Sequence, residues 1–598
     1  MERLASTSYW ATYRWHYSQG ANDLHTFTVW APTASTVSLV LADNSLEMWR
    51  DDGGWWELEV DEAGHGTDYA FSVDGSEPLP DPRSAWQPEG VHGFSRVFDT
   101  GRFEWSDSEW AGREVRGSVF YELHLGTFTP EGTLEAAADH LDYLVGLGVQ
   151  VVSLMPVAAF PGRHGWGYDG VDLYAVHEPY GGPEALQQFV DRCHDAGLAV
   201  CLDVVYNHVG PSGNYLSSFG PYFTSRHTTP WGPAVNLDDE GSVEVRRWIC
   251  DNALRWFREF HLDALRLDAV HALADDSPRH LLAQLSEETA ALAKELGRPL
   301  GLVAESDLND PRMVEPVAEG GLGMTAQWSD DFHHALHTLL TGEHAGYYVD
   351  FDEPGVFAKT LTQVFLHDGS YSTFRGKDWG RPVDPERHRG SEFLAYTSNH
   401  DQVGNRALGD RPALTPGQLA IGAALVITSP YTPMLFMGEE WGASTPWRYF
   451  TDHDEPSLAE AVRTGRRQEF AAYGWDAEEI PDPQDPATWK SSVLDWSELD
   501  ASPHRELLAW YRDLLALRAR SDDLRDDRLG SVSIAYDEDG SWLVIHRGAL
   551  RVVVNLEPGE AVVPLDDEPA YEVMSYGDAA PVTAGVRLSG HGVAVFAV

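Results

Sequence analysis

The sequence predicts an α/β protein: a (β/α)8 barrel preceded by an N-terminal β-sandwich and followed by a C-terminal antiparallel β-domain. Three observations carry that expectation. Short alternating strands broken by Gly, Pro and Asp clusters occupy both ends of the chain. Between them, apolar strand-like runs alternate with segments of helical spacing. Eight such runs fall within roughly 400 residues, which suits a barrel with insertions because the plain fold takes about 250. A chain of 598 residues also exceeds what one core holds. The expected divisions are 1–110, 111–525 and 526–598.

In the first region His25-Thr26-Phe27-Thr28-Val29-Trp30 alternates polar and apolar residues, and Ala31-Pro32-Thr33 turns. Val37, Leu39 and Leu41 alternate again, as do Tyr69, Phe71 and Val73 before Asp74-Gly75. Val119-Phe120-Tyr121-Glu122-Leu123-His124 then reads as the first barrel strand. Leu134, Ala138, Leu141 and Val145 follow at the spacing of one helix, ended by Gly148. Val151-Val152-Ser153-Leu154-Met155-Pro156 is the second strand. Pro183 opens a helix carrying Leu186, Val190 and Cys193, stopped by Gly197. Residues 199–205 form the third strand, and 263–270, 300–305, 324–328, 391–400 and 433–437 complete the eight. A doubly wound open sheet would show a glycine-rich turn after its first strand, and none is present. The last region returns to short strands at Trp542-Leu543-Val544-Ile545, Val552-Val553-Val554 and 593–596.

The charge balance narrows the partners. Asp and Glu number 94 against 42 Lys and Arg, a net charge of −52 and a pI near 4.6. Such a field repels phosphate backbones and anionic lipid, so no nucleic acid and no membrane partner is expected, and a neutral substrate fits best. Most of these carboxylates only solvate the surface. Cys193, Cys201 and Cys250 show no C-x-x-C spacing and read as small buried apolar residues in a reducing compartment. The polar start Met1-Glu2-Arg3-Leu4-Ala5-Ser6-Thr7 has no apolar leader core, and no run approaches the ~20 residues that span a bilayer. A cytoplasmic location is expected.

The chemistry gathers at strand ends. In Asp263-Ala264-Leu265-Arg266-Leu267-Asp268-Ala269-Val270, a strand puts Ala264, Arg266 and Asp268 on one face and the leucines on the other. Buried charges are costly unless paired, and Arg266 can keep Asp268 ionised. Glu305 follows Leu302-Val303-Ala304. Tyr396-Thr397-Ser398-Asn399-His400-Asp401 ends another strand, and Asp203 with Tyr206-Asn207-His208 a fourth. Charged groups at four strand C-termini converge on one barrel mouth. Three carboxylates there suit glycoside cleavage, with one attacking and one protonating. Crowding is expected to raise Glu305 toward neutrality as the proton donor. No G-x-S-x-G, P-loop or H-E-x-x-H motif competes. His333 and His337, at i and i+4, read as helix-face histidines rather than metal ligands. Among many aromatics Trp166, Tyr168 and Trp328 are the candidates for stacking on a sugar.

These segments resemble the α-amylase superfamily, glycoside hydrolase family 13. Asp203-Val204-Val205-Tyr206-Asn207-His208 resembles its first signature segment. Ala264-Leu265-Arg266-Leu267-Asp268-Ala269-Val270-His271 resembles the second, Val303-Ala304-Glu305-Ser306 the third, and Ser398-Asn399-His400-Asp401 the fourth. The resemblance implies Asp268 as nucleophile, Glu305 as acid/base and Asp401 as transition-state stabiliser. It puts Arg266, His208, His400 and Tyr168 around the −1 sugar, with Asp203, Asn207, Trp328, Asp331, His333 and His271 as further substrate contacts.

Within the superfamily the chain resembles the malto-oligosyltrehalose trehalohydrolase family. That likeness rests on Glu122-Leu123-His124-Leu125-Gly126-Thr127-Phe128, Glu305-Ser306-Asp307-Leu308-Asn309-Asp310-Pro311, Asp330-Asp331-Phe332-His333-His334, Gly404-Asn405-Arg406 and Phe436-Met437-Gly438-Glu439-Glu440-Trp441. Phe27-Thr28-Val29-Trp30-Ala31-Pro32 resembles the carbohydrate-binding-like sandwich that precedes such barrels. Ser329 and Thr397-Ser398 depart from the family pattern and bear on fine substrate contacts. The implied reaction is retaining hydrolysis of the α-1,4 bond next to the terminal trehalose of malto-oligosyltrehalose. Its products are trehalose and a malto-oligosaccharide, and no cofactor or metal is expected. A branching enzyme would use the same carboxylates with a sugar acceptor, and a non-catalytic glucan-binding protein would keep only the barrel.

Overall fold

The computed structural model describes residues 25–471, 476, 478–583 and 585–598. Residues 1–24, which hold the polar start and open the expected 1–110 division, lie outside the described residues.

All eight expected strands form. They are β1 (Phe120–Leu123), β2 (Val151–Leu154), β3 (Ala199–Val204), β4 (Ala264–Leu267), β5 (Gly301–Ala304), β6 (Ala326–Trp328), β7 (Phe393–Ala395) and β8 (Thr432–Phe436). They close into a ring in that order, β8 pairing with β1, and every pairing is parallel. Every residue of the eight is buried, as a parallel sheet covered on both faces requires. Phe120, Val151, Cys201, Ala264, Val303, Leu394 and Met434 fill the interior. Leu202, Leu265, Leu267 and Leu302 point the other way, into the large core under the helices. The alternation read in β4 therefore sets which side chains enter the barrel.

The sequence reading needs two corrections. The stretch expected as one helix is two, Leu134–Ala138 and Leu141–Leu147, broken at Asp139 and His140. The His140 ring stacks on Trp496 at 4.1 Å, a tertiary contact that turns the chain and leaves Val145 exposed. The strand expected over 391–400 keeps only three residues as β7. A 3-10 turn, Gly390–Glu392, precedes it, and the helix His400–Gly404 follows, capped by the Asn399 side chain on the Asp401 and Gln402 N–H groups. His400 and Asp401 thus ride on a helix's first turn, not on a strand. The helix stop at Gly148 and the Pro183 start are as read: Gly148 has φ 106°, and Pro183 lies in the first turn of Gly182–Asp195.

Before the barrel, His25–Trp30, Trp55–Val60 and Trp49–Arg50 form one antiparallel sheet, and Val37–Leu41 centres a second. After it, Trp542–Arg547, Leu550–Asn555 and Val593–Ala597 belong to a five-stranded antiparallel sheet beside a three-stranded one. All three cysteines are free and buried. Among the described residues no helix is long and apolar enough to cross a membrane.

Candidate active site

Arg266 organises the barrel mouth. It lies two residues beyond inward-facing Ala264, beside Asp203 in the β3–β4 register, and is 1% exposed. Nη1 donates to Asp203 Oδ2 at 2.6 Å and to Asp268 Oδ1 at 2.9 Å, while Nη2 lies 2.7 Å from Glu305 Oε2. The Trp328 ring covers the guanidinium at 4.3 Å. One planar cation thus joins carboxylates from three strand ends. Ala269 turns the chain with φ 37°, a left-handed conformation unusual for a residue with a Cβ, and its N–H donates to Glu305 Oε2 at 2.8 Å.

The rest of the mouth is built from aromatic and imidazole rings. The Tyr168 hydroxyl donates to Asp203 Oδ2 at 2.7 Å and lies 2.8 Å from His400 Nε2. Asp401 Oδ2 is 3.4 Å from the same nitrogen. Trp166 meets His400 edge-on, and His208 Nε2 is 3.0 Å from the Tyr168 carbonyl. Asn207 is buried with neither amide atom hydrogen-bonded among the described residues. His271 lies exposed on the turn after β4, placed so that its protonated ring would draw Glu305 down.

Five carboxyl groups (Glu122, Asp203, Asp268, Glu305 and Asp401) here face two cations, Arg266 and His400. Asp268 is raised to about 8: burial lifts it most, Arg266 opposes, and the charges of Glu305, Asp203 and Asp401 add to the rise. Burial also raises Glu305, but Arg266 and the Ala269 N–H outweigh it and hold Glu305 below its ordinary value. The crowding read from the sequence is present, yet in the substrate-free site it favours a proton on Asp268 rather than on Glu305. The reason is geometric: Arg266 and a backbone N–H both point at one Glu305 oxygen.

Two expected sugar contacts turn inward. Asp331 Oδ2 accepts from Asn309 Nδ2 at 2.8 Å and from the Leu366 and His367 N–H groups. The His333 ring spends Nδ1 on the Thr397 carbonyl at 2.7 Å and lies 3.2 Å from the Tyr348 hydroxyl through Nε2. Both side chains brace the helix Asp330–Thr341 against its neighbours, because alternate residues of one helix cannot all face the mouth. The departure at Thr397 also points away: its hydroxyl donates to buried Glu439 at 2.9 Å. Ser329 is wholly buried.

Three residues escaped the sequence reading. Glu122 of β1 holds His400; its signal was a charge in phase with interior Phe120. Asp330 accepts the Tyr396 hydroxyl at 2.5 Å, and burial together with the Glu305, Asp307 and Asp401 charges pushes it to about 7 against that bond. Trp231, half-exposed between the hairpin strands Phe223–Thr229 and Gly232–Val235, stacks on His208 at 4.4 Å. Nothing in local periodicity marks it.

Three segments of the chain match known protein families. Residues 97–225 match the α-amylase catalytic domain, 15–86 carbohydrate-binding module 48 (the isoamylase N-terminal domain), and 527–595 the domain of unknown function DUF3459. The chain is 52% identical over 575 residues to the malto-oligosyltrehalose trehalohydrolase of Arthrobacter ramosus, covering 95% of this chain and 99% of that one. It is 45% identical to that of Saccharolobus solfataricus, covering 88% and 90%. A crystal structure of a Salmonella typhimurium protein superposes with a TM-score of 0.88 at 36% identity, covering 97% of this chain and 98% of that one.

Proposed function

We propose a function from one premise: the chain belongs to the malto-oligosyltrehalose trehalohydrolase family of the α-amylase superfamily. It is a glycosidase that hydrolyses the α-1,4 bond next to the terminal trehalose of malto-oligosyltrehalose, releasing trehalose and a malto-oligosaccharide. A neutral, hydroxyl-rich substrate suits the acidic chain.

The residue roles are our reading of the mouth. Asp268 attacks C1 of the −1 glucose while Glu305 protonates the departing trehalose oxygen. Glu305 then takes a proton from water, and the water oxygen displaces Asp268 with the anomeric configuration retained. Asp401 stabilises the oxocarbenium-like charge. Tyr168, His208, Asp203, Asn207, His400, His271 and Trp328 surround the sugar. The observation that carries this reading is the Arg266 fork, with Asp268 on one nitrogen and Glu305 on the other. A shared guanidinium supports the short separation of a retaining pair, about 5–5.5 Å. Because Asp268 and Glu305 share the Arg266 guanidinium, moving the proton from Asp268 to Glu305 is a redistribution within one cluster, favoured as positive charge develops at C1 beside Asp268. We place the division boundaries at 1–110, 111–525 and 526–598.

The test is product analysis with maltotriosyl-trehalose and, separately, maltopentaose. Trehalose released much faster than any product from maltopentaose supports the reading. Equal cleavage of both, or transfer products without trehalose, overturns the substrate.

A further inference from the structure

Glu122 is the one charged side chain of β1, 2% exposed and in phase with interior Phe120. A buried carboxylate is costly unless its oxygens are used, and both serve a single residue. Oε2 accepts the His400 backbone N–H at 2.9 Å, and Oε1 lies 2.8 Å from the ring Nδ1. An ionised carboxylate only accepts, so Nδ1 carries a proton. The other ring nitrogen faces the Tyr168 hydroxyl, whose one proton goes to Asp203 Oδ2. That oxygen also accepts from Arg266 and so holds no proton of its own. Tyr168 therefore offers Nε2 a lone pair, and Nε2 must donate. A ring with a proton on each nitrogen is an imidazolium.

We propose that Glu122 is a positioning residue: it holds His400 as an imidazolium whose Nε2–H is aimed at Tyr168 and Asp401, fixing a cation beside the Asp401 carboxylate at the sugar site. The proposal rests on the reading of the mouth given above. Glu122 is too deeply buried to touch a sugar and acts only through His400.

The surroundings agree. Burial opposes a charge on His400, but Asp401 and Glu122, with the Glu122 hydrogen bond, outweigh it and lift the ring to about 9 against Arg266. Asp203 and Glu305 also face it, His124 is held neutral at about 3 by burial and adds no charge beside it, and Trp166 and Trp328 close its sides. Among these, Glu122 alone binds both the ring and the backbone of His400. In Glu122→Gln the shape remains, but an NH2 group must face one of the two His400 donors. Surrendering the Nδ1 proton relieves that conflict and neutralises the ring.

The experiment is an NMR titration of the full chain with ring-labelled histidine, His400 being assigned by its loss in His400→Gln. In the wild type the His400 ring is charged at neutral pH, with a midpoint above the ordinary 6.5. In Glu122→Gln the midpoint falls below 6.5, and the alkaline limb of kcat moves to lower pH because the charged ring is lost sooner as pH rises. On maltotriosyl-trehalose kcat falls roughly tenfold or more, with KM changed less than about threefold. In a His400→Gln background the same substitution costs less than about twofold, since its path runs through the missing ring. A neutral His400 in the wild type at neutral pH overturns the proposal, and that measurement needs no variant to fold. An unshifted midpoint in Glu122→Gln overturns it as well. Failure of the wild type to release trehalose would reject the proposed function instead, and the titration would still decide the protonation.

Discussion

At the N-terminal end of the barrel, Asp263 is buried with all its capacity spent. Oδ1 accepts from Trp110 Nε1 at 2.9 Å and Arg298 Nη1 at 3.1 Å; Oδ2 accepts the Val200 N–H at 2.9 Å and lies 3.0 Å from His194 Nε2. Asp107, from the stretch that follows the sandwich, bonds the other His194 nitrogen and also His261. The C-terminal end buries charge just as deeply but leaves it open. Asp203 Oδ1, Arg266 Nε, His208 Nδ1 and both Asn207 amide atoms lack a hydrogen-bond partner among the described residues. The desolvation cost is the same kind at both ends, so the contrast is informative. A satisfied cluster holds the fold together, whereas unspent polar atoms at the mouth fit the proposal that these groups meet substrate hydroxyls.

Substitutions should therefore separate the two ends cleanly. Asp268→Asn lowers kcat on maltotriosyl-trehalose by roughly 10³-fold or more, and the melting temperature does not fall because an amide replaces a carboxyl that already holds a proton in the substrate-free site. Full hydrolysis in that variant would reject the nucleophile. Asp263→Ala does the reverse. It strands the His194 and Arg298 charges and costs about 3–5 kcal/mol in denaturant unfolding, while kcat of the folded enzyme stays within about twofold. A large kcat loss there would erase the distinction between the ends.

Acid and base sharpen the same comparison. Burial works against the His194 charge, but bonds to Asp107 and Asp263 raise it above 6.5. Its contribution to stability is complete below 6.5 and disappears as pH rises through the higher folded value. Asp107 is buried too, yet the two histidines hold it well below 3.8, so its contribution is present above 3.8 and is lost as pH falls through the folded value. Melting temperature should thus plateau between these limits and decline on both sides. His194→Gln should flatten the alkaline decline, and an unchanged alkaline slope would remove His194 from the account. The smallest effect belongs to Trp231→Ala: losing its ring beside His208 raises KM by about three- to tenfold, equivalent to ~1 kcal/mol of stacking, with kcat nearly unchanged. An unaltered KM would take the hairpin out of the cleft.

Much of this was readable in advance, for a local reason. Strand alternation is a property of neighbouring residues, so Ala264, Arg266 and the leucines between them announced which way each would face. The same rule misled at 391–400, where Asn399 caps a helix and β7 stops after Ala395. It could not separate Asp330 from Asp331 either. They are adjacent in the chain, and only the packing of the helix Asp330–Thr341 sends one to Tyr396 and the other to Asn309.

The sequence by itself therefore determined the barrel, its flanking β-domains and the strand ends carrying Asp203, Arg266, Asp268 and Glu305, because period and burial are encoded residue by residue. Tertiary structure alone decided where the protons reside. Glu122 and His400 stand 278 residues apart in the chain, and Trp231 meets His208 only across a hairpin. Charge states at the mouth depend on angstrom-scale distances between such segments, and electrostatic energy varies with those distances rather than with position along the chain.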